Sequence, residues 1–237
     1  MKKPQRTVTA LCLVVLGALL AVLLAGCGSS KPDLTKLSVP ALFHKASAAV
    51  AKKKYISLSG RIASSNGLAG TGLDLHYVDG DSYGEITLGN GAQLRIESVG
   101  GKTWFKPNAA FWRAQMGKDA AAILRVIAGR WILANPDNAN FGQVLQLASR
   151  DFIAKQVLDP KIPAAKGSVT TIAGTDCIPL RLKAGTLYLN ASTALPVRVA
   201  GTGKSGSGAA DFSYAKVSAP IAPTAKQQVD LSSLTGQ

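Results

Sequence analysis

The residues of this chain best suited to covalent chemistry are its three cysteines, Cys12, Cys27 and Cys177. A cysteine sulfur can be acylated, can bind a metal ion or can pair in a disulfide. Cys12 lies within an apolar N-terminal run and Cys27 lies just after it, whereas Cys177 stands far from both. We therefore expect Cys177 to be unpaired, either as a partly exposed thiol or, in preference, as a small side chain beneath a turn.

The N-terminal segment has the composition of a secretion signal. Residues 1–26 begin with Lys2, Lys3 and Arg6 and continue as an apolar run that ends at small residues. This run has about the length of a signal-peptide core and falls short of the roughly 20 residues of a spanning helix. Without the segment and its three cations, the 237 residues and net charge of +14 become 211 residues and +11.

Residues 24–27 read Leu-Ala-Gly-Cys and resemble the lipobox of bacterial lipoproteins, in which the cysteine sulfur is diacylated and the chain is cut before it. We predict that Cys27 is the lipidation site, that residues 27–36 are a flexible tether and that the protein is anchored on the extracytoplasmic face of the cell membrane. Two acyl chains anchor a protein stably where one does not. The polyanions available there are lipid headgroups and envelope polymers, so we predict no nucleic-acid partner.

The remaining motifs favour structure over catalysis. His44 is placed on a helix and His76 on a strand, and neither has Cys, Asp or Glu neighbours at metal-ligand spacing, so both are predicted to be surface residues. Residues 79–81, Asp-Gly-Asp, are typical of a hairpin turn. Residues 201–206, Gly-Thr-Gly-Lys-Ser-Gly, match the glycine spacing of a dinucleotide-binding loop, and residues 203–205 resemble the end of a phosphate-binding loop. They precede a strand and not a helix, so we expect a flexible loop. We predict no catalytic residue, no metal site and no cofactor.

The spacing of apolar residues predicts the elements that position any site. Helical spacing after Ser38 predicts an amphipathic helix that Lys52 ends. Alternation with period two over residues 55–99, and again over 169–214, predicts antiparallel strands with one apolar face. The segment between them, 104–152, holds all three tryptophans. The pattern of this segment predicts one helix at residues 118–127, a second at about 140–150, and a short strand between them at 130–133.

These elements predict an α+β fold. A curved antiparallel sheet would form a half-barrel, and the N-terminal helix and a helical lid insert would cover its concave face. We place this domain at residues 37–219 and an irregular tail at 220–237. Four strand glycines would permit the bends of a curled sheet, namely Gly60, Gly70, Gly72 and Gly84.

The order of these features resembles the LolA-like superfamily, and within it the actinobacterial lipoproteins of the LppX and LprG type. The resemblance covers about residues 37–217 and includes Gly-Arg-Trp at 129–131 and Ala-Leu-Pro-Val-Arg at 194–198. It implies a concave face that holds the acyl chains of a membrane lipid or glycolipid, and an envelope transporter or sensor as protein partner. It offers no catalytic residue.

Apolar residues of the strands and the insert are the predicted lining of this lipid cavity. They are Ile62, Leu73, Leu75, Ile86, Leu94, Ile96, Phe111, Trp112, Leu124, Ile127, Trp131, Phe141, Leu145, Leu180 and Leu187. The same residues would pack a dry core, and the residue pattern leaves both interpretations open. Two alternatives to a lipid carrier are an envelope sensor or interaction module on the same fold and a structural lipoprotein that binds envelope polyanions.

Overall fold

The strands pair into a single sheet whose order largely follows the sequence. The computed structural model describes residues 33–62, 71–127, 129–135, 142–203 and 206–229. The strands in these ranges are β1 (Tyr55–Ile62), β2 (Thr71–Val78), β3 (Asp81–Thr87), β4 (Gln93–Val99), β5 (Lys102–Pro107), β6 (Trp131–Leu133), β7 (Ala164–Lys166), β8 (Thr170–Ile172), β9 (Thr175–Leu182), β10 (Gly185–Asn190), β11 (Pro196–Gly203), β12 (Gly206–Ser213) and β13 (Gln228–Val229).

The sheet is open, and its strand order is β13-β6-β5-β4-β3-β2-β1-β12-β11-β10-β9-β7, with β8 paired to β9 alone. Neighbouring strands are antiparallel except for β13 and β6, which are parallel. The first and last long strands, β1 and β12, lie side by side and join the two strand series that the insert separates in sequence. The predicted α+β half-barrel is confirmed.

Two of the strand glycines are required by close backbone approach. Gly60 has φ +146° and Gly84 has φ +159°, which side chains rarely adopt. A Cβ atom at Gly60 would lie 2.3 Å from the carbonyl oxygen of Ala209, and one at Gly84 would lie 2.1 Å from that of Asp74. Only glycine fits at these two positions, and the same holds for Gly185 on β10, where a Cβ would lie 2.1 Å from the Ala200 carbonyl oxygen. Gly70 lies outside the described residues.

The first helix, α1 (Val39–Ala51), matches its prediction. The Ser38 hydroxyl caps it by accepting a hydrogen bond from the Ala41 backbone N–H at 3.4 Å. Leu42, Phe43 and two smaller apolar residues on one face are buried in the core. The helix is thus fixed to the sheet by its apolar stripe.

The insert contains three helices, α2 (Ala109–Met116), α3 (Ala120–Ile127) and α4 (Gly142–Ala148), and a π-helical turn at Ile153–Val157. Helix α2 is absent from the prediction, which gave this part of the insert no regular element. Its signal is Asn108, whose side-chain oxygen accepts a hydrogen bond from the Phe111 N–H at 2.9 Å.

Three further segments differ from their predictions. Leu34 is only 6% exposed and belongs to the core, so the folded unit begins before residue 37. Gly201 and Gly203 are paired within the β11–β12 hairpin, so most of the predicted flexible loop is strand. The tail is not wholly irregular, because β13 pairs with β6. Among the residues that the structure describes, no helix has the length and hydropathy needed to cross a bilayer.

Candidate functional site

One face of the sheet carries large buried apolar side chains on eight of its thirteen strands, β1 to β6, β9 and β10. The pairing register places Leu58 opposite Leu75, and Leu73 opposite Ile86, which in turn lies opposite Leu94. We call this surface the apolar face, and its members are at most 9% exposed. They are Ile56, Leu58, Leu73, Leu75, Ile86, Leu94, Ile96, Phe105, Ile132, Ile178, Leu180, Leu187 and Leu189.

Helix α4 is fastened to the sheet by two side chains. The Tyr77 hydroxyl on β2 donates a hydrogen bond to the Leu147 carbonyl at 2.9 Å, and the Ser82 hydroxyl on β3 donates one to the Ala148 carbonyl at 2.5 Å. Both carbonyls lie in the last turn of α4, where they have no partner within the helix. Burial raises the pKa of Tyr77, so this hydroxyl stays a neutral donor.

Arg150 joins three parts of the chain at the end of α4. Its guanidinium donates hydrogen bonds to the carbonyls of Val50 in the last turn of α1, at 2.7 Å, and of Lys53 just after that helix. It also donates one to the carbonyl of Asp79 in the β2–β3 turn, at 3.4 Å. A cation at a helix C-terminus is favoured by the helix dipole as well as by these hydrogen bonds. The insert is therefore held against α1 and the sheet at this point.

Helices α2 and α3 are attached less completely. Ile127 is 1% exposed, but Trp112 and Ile123 are half-buried where they pack against the core. Phe111 and Leu124 are also half-buried. The Phe111 and Trp112 rings pack edge to face, with their centroids 5.7 Å apart. The Trp112 indole nitrogen is buried and has no hydrogen-bond partner in the part of the chain that the structure describes. In α2 and α3, apolar side-chain surface and the Trp112 N–H donor are thus left available for contact with a ligand.

The structure brings most of the predicted cavity residues together. Eight are buried in one cluster, namely Leu73, Leu75, Ile86, Leu94, Ile96, Ile127, Leu180 and Leu187. Leu145 is half-buried against that cluster, as is Trp112. Phe141 and the side chain of Ile62 lie outside the described residues. The prediction omitted Phe43 of α1 and Phe105 of β5, although the helical and alternating patterns place both on the inward side.

Trp131 does not belong with this group. It precedes Ile132 on β6, and Ile132 is the residue on the apolar face, so alternation puts Trp131 on the opposite face. There it helps to line a groove of about 500 Å³, which we call the outer groove. The side chains around the groove are Arg61, Asp74, His76, Tyr83, Glu85, Thr87, Arg95, Glu97 and Trp131.

His76 is half-buried in this outer groove, not a surface residue as predicted. Its Nδ1 lies 2.8 Å from the Ser57 hydroxyl and its Nε2 lies 3.1 Å from an Asp74 carboxylate oxygen. Ser57 is only 7% exposed, so these contacts fix the imidazole in the sheet surface. His44 is exposed on α1, as predicted. Over the described ranges, no group of three His, Cys, Asp or Glu side chains could hold a metal ion.

Cys177 is a buried thiol on β9. It is 0% exposed, and its Sγ donates a hydrogen bond to the Thr175 carbonyl at 3.3 Å. Burial raises the pKa of this thiol, which keeps it protonated and unreactive. Of the two alternatives from the sequence, the small buried side chain is the one observed.

No protein-family model and no curated protein matches this chain. Among solved structures it is similar to LprF from Mycobacterium bovis, with 12% identity and a TM-score of 0.47 over 77% of this chain and 96% of that one. It is also similar to the lipoprotein LppX of Mycobacterium tuberculosis, with 12% identity and a TM-score of 0.42 over 77% and 98%. It is similar as well to a LolA superfamily protein from Nitrosomonas europaea, with 12% identity and a TM-score of 0.29 over 79% of this chain and 96% of that one. Such distant likeness assigns no ligand or activity.

Proposed function

We propose that this protein is an extracytoplasmic lipoprotein that binds or transfers a membrane lipid or glycolipid, whose acyl chains lie between the apolar face and the helices of the insert. The observation that carries the proposal is the mismatch between the sheet and its cover. The apolar face covers eight strands and is buried, whereas the large apolar side chains of α2, α3 and α4 are mostly half-buried. These half-buried residues are Phe111, Trp112, Ile123, Leu124, Leu145 and Leu147.

An acyl chain would complete the burial of this cover. Each buried methylene contributes about 0.8 kcal/mol, so contact along one chain stabilises the complex by several kcal/mol. The proposal requires the insert to move when a lipid binds, because the members of the apolar face are at most 9% exposed in this structure and a close-packed interior leaves no room for an acyl chain. The short helices of the insert suit a part that has to open for the ligand to enter.

The polar end of the lipid has candidate contacts in the same insert. The Trp112 indole N–H is an unused buried donor, which suits a carbonyl or hydroxyl oxygen of the ligand. Three exposed cations lie nearby: Arg113 on α2, Lys118 between α2 and α3, and Arg125 on α3. They suit an anionic headgroup or membrane surface.

Membrane attachment through acylated Cys27 belongs to the same proposal. A protein that collects a lipid from a bilayer has to stay near it, and two acyl chains provide stable anchoring. The residues that would carry the signal and tether lie outside the described residues, apart from the segment that begins at Asp33. The support for this anchor is the Leu-Ala-Gly-Cys sequence at 24–27.

Titration with a fluorescent polyene fatty acid tests the binding proposal. We expect residues 31–237 to bind the probe saturably, with an affinity that stays the same between low and high salt. Binding through exposed charges weakens as ionic strength rises, whereas burial of an acyl chain does not. Loss of binding in high salt would favour the polyanion-binding alternative, and no saturable binding would refute the carrier.

A further inference from the structure

The outer groove lies on the face of the sheet opposite the proposed lipid site. It crosses β1 to β4 and reaches β6, and its volume of about 500 Å³ falls within the range of small-ligand sites, about 300 to 1,000 Å³. Gly60, Gly72 and Gly84 all border it, so part of its floor is bare backbone. The groove is therefore a hollow built into the sheet and not a gap between loops.

Aromatic rings flank this hollow and are held in place. His76 and Tyr83 stack with ring centroids 4.7 Å apart and an angle of 29° between their planes. Both nitrogens of His76 are engaged, by Ser57 and by Asp74, so the ring that supports Tyr83 cannot turn freely. At β6 the Lys106 ammonium lies over the Trp131 ring, 5.8 Å from its centroid.

The polar side chains of the outer groove offer both donors and acceptors. Glu85 pairs with Arg95 at 3.3 Å, and Asp74 is engaged by His76. Half-buried Glu97 has no hydrogen bond to another described residue, and its carboxylate is attracted by the nearby cations of Arg95 and Lys106. Three carboxylates around the groove are balanced by Arg61, Arg95 and the Lys106 ammonium beside Trp131, so its charge favours neither an anion nor a cation.

We propose that the outer groove binds a neutral saccharide. A sugar ring has an apolar C–H surface that packs on an aromatic face and hydroxyl groups that are donors and acceptors at once. Tyr83 and Trp131 provide the faces, and Glu97 provides an unused acceptor for a hydroxyl pair. A purely apolar ligand would leave these charged groups desolvated without partners, and a phosphate would meet the carboxylates.

This site can be tested apart from the proposed lipid function, because the polar and aromatic side chains that would contact the sugar lie on the other face of the sheet; Leu73 and Ile96, which belong to the apolar face, also border the groove. A protein with both sites would hold a lipid on one face and an envelope glycan on the other. Each site can fail without the other, since the fatty-acid titration does not involve the outer groove.

The experiment uses the full-length chain in a polyoxyethylene detergent, which carries no sugar. Linear oligosaccharides of glucose, mannose, galactose and N-acetylglucosamine are titrated by calorimetry, with sugar phosphates as charged probes. We expect saturable binding of at least one neutral oligosaccharide, weakened about tenfold or more by Tyr83→Ala and by Trp131→Ala. The matched control is Tyr55→Ala, which changes a half-buried tyrosine at the start of β1, on the same face of the sheet but not lining the groove, and should leave binding unchanged.

Glu97→Gln keeps the test decisive if either aromatic variant fails to fold, because it preserves size and shape. We expect it to weaken binding severalfold while thermal unfolding shows a folded protein. The proposal is overturned if no neutral oligosaccharide binds, if only the sugar phosphates bind, or if binding to the neutral probe is the same in folded Glu97→Gln and folded Tyr83→Ala as in the parent chain.

Discussion

The hydroxyl of Tyr77 on β2 donates a hydrogen bond of 2.9 Å to the carbonyl of Leu147 on α4, and Tyr77 itself is 1% exposed on the apolar side of the sheet. A buried phenol would be costly without this partner. The contact thus fixes the position of α4 above the sheet.

Replacing Tyr77 by Phe should therefore loosen α4 without changing the shape of the core. The variant leaves the Leu147 carbonyl without its donor, and we expect a loss of about 1 to 3 kcal/mol in the free energy of unfolding. Urea denaturation measures it, with Tyr188→Phe on the exterior as control. Equal stability of the two variants would show that α4 does not depend on this hydrogen bond.

Arg150 should be as important as Tyr77 for holding the insert. Arg150→Gln removes the charged donor from the carbonyls at the end of α1, and Arg150→Lys cannot reach three carbonyls at once. We expect each to lower the free energy of unfolding by about 1 to 3 kcal/mol. The exposed Arg113→Gln serves as control in the same denaturation series. A stability unchanged by Arg150→Gln would contradict the described contacts.

A bulky substitution in the lid separates a ligand cavity from a dry core. Leu124 is half-buried on α3, so a larger side chain there should enter the ligand space. Overpacking a closed core costs about 1 to 3 kcal/mol, whereas filling an open pocket costs little. We expect Leu124→Trp to reduce lipid loading with nearly unchanged melting temperature, and the exposed Ala122→Trp to alter neither. A strongly destabilised Leu124→Trp would place Leu124 in a packed core.

Glu97 should make stability depend on pH in an unusual direction. Burial raises the pKa of its carboxyl, so the ionised form is disfavoured in the folded state and opposes folding at neutral pH. Glu97→Gln should raise the melting temperature at pH 7, and the difference should shrink as the pH falls and vanish below about pH 4, where the unfolded carboxyl is also protonated. Thermal scans across this range measure the effect, and a variant less stable at pH 7 would contradict it.

The lipobox prediction concerns residues outside the described part of the chain and is tested in cells. Cys27→Ser should abolish incorporation of a labelled fatty acid and leave the signal segment uncleaved, because acylation precedes the cut. Cys177→Ser is the control and should keep the label. Labelling that persists in Cys27→Ser would show that the lipobox assignment is wrong.

Much of the fold follows from local patterns in the sequence. Alternation predicts the long strands because one face of each is buried, and Ser38 marks the start of α1 because its hydroxyl satisfies a free N–H. Helix α2 was missed because its residues have mixed polarity, and only the cap at Asn108 distinguishes them from a loop. Pairing of β13 with β6 joins distant segments of the chain, and no local pattern encodes such a contact.

In the candidate sites, too, features that depend on local sequence could be predicted, and features that depend on strand pairing could not. Members of the apolar face follow from alternation, but Trp131 was assigned to the wrong face because its strand has only three residues, too few to show a phase. The outer groove was missed because it depends on register across four strands. Asp74, His76 and Tyr83 look like ordinary solvent-facing residues until the β2–β3 pairing places them side by side.

Mass spectrometry of organic extracts tests the central proposal most directly. Residues 31–237, purified from the lysate of a lipid-rich host without added detergent, should carry a stoichiometric acyl lipid, and Leu124→Trp prepared in the same way should carry much less. Absence of any acyl lipid from the parent protein, together with a tightly filled apolar face in an experimental structure, would contradict the lipid-binding function.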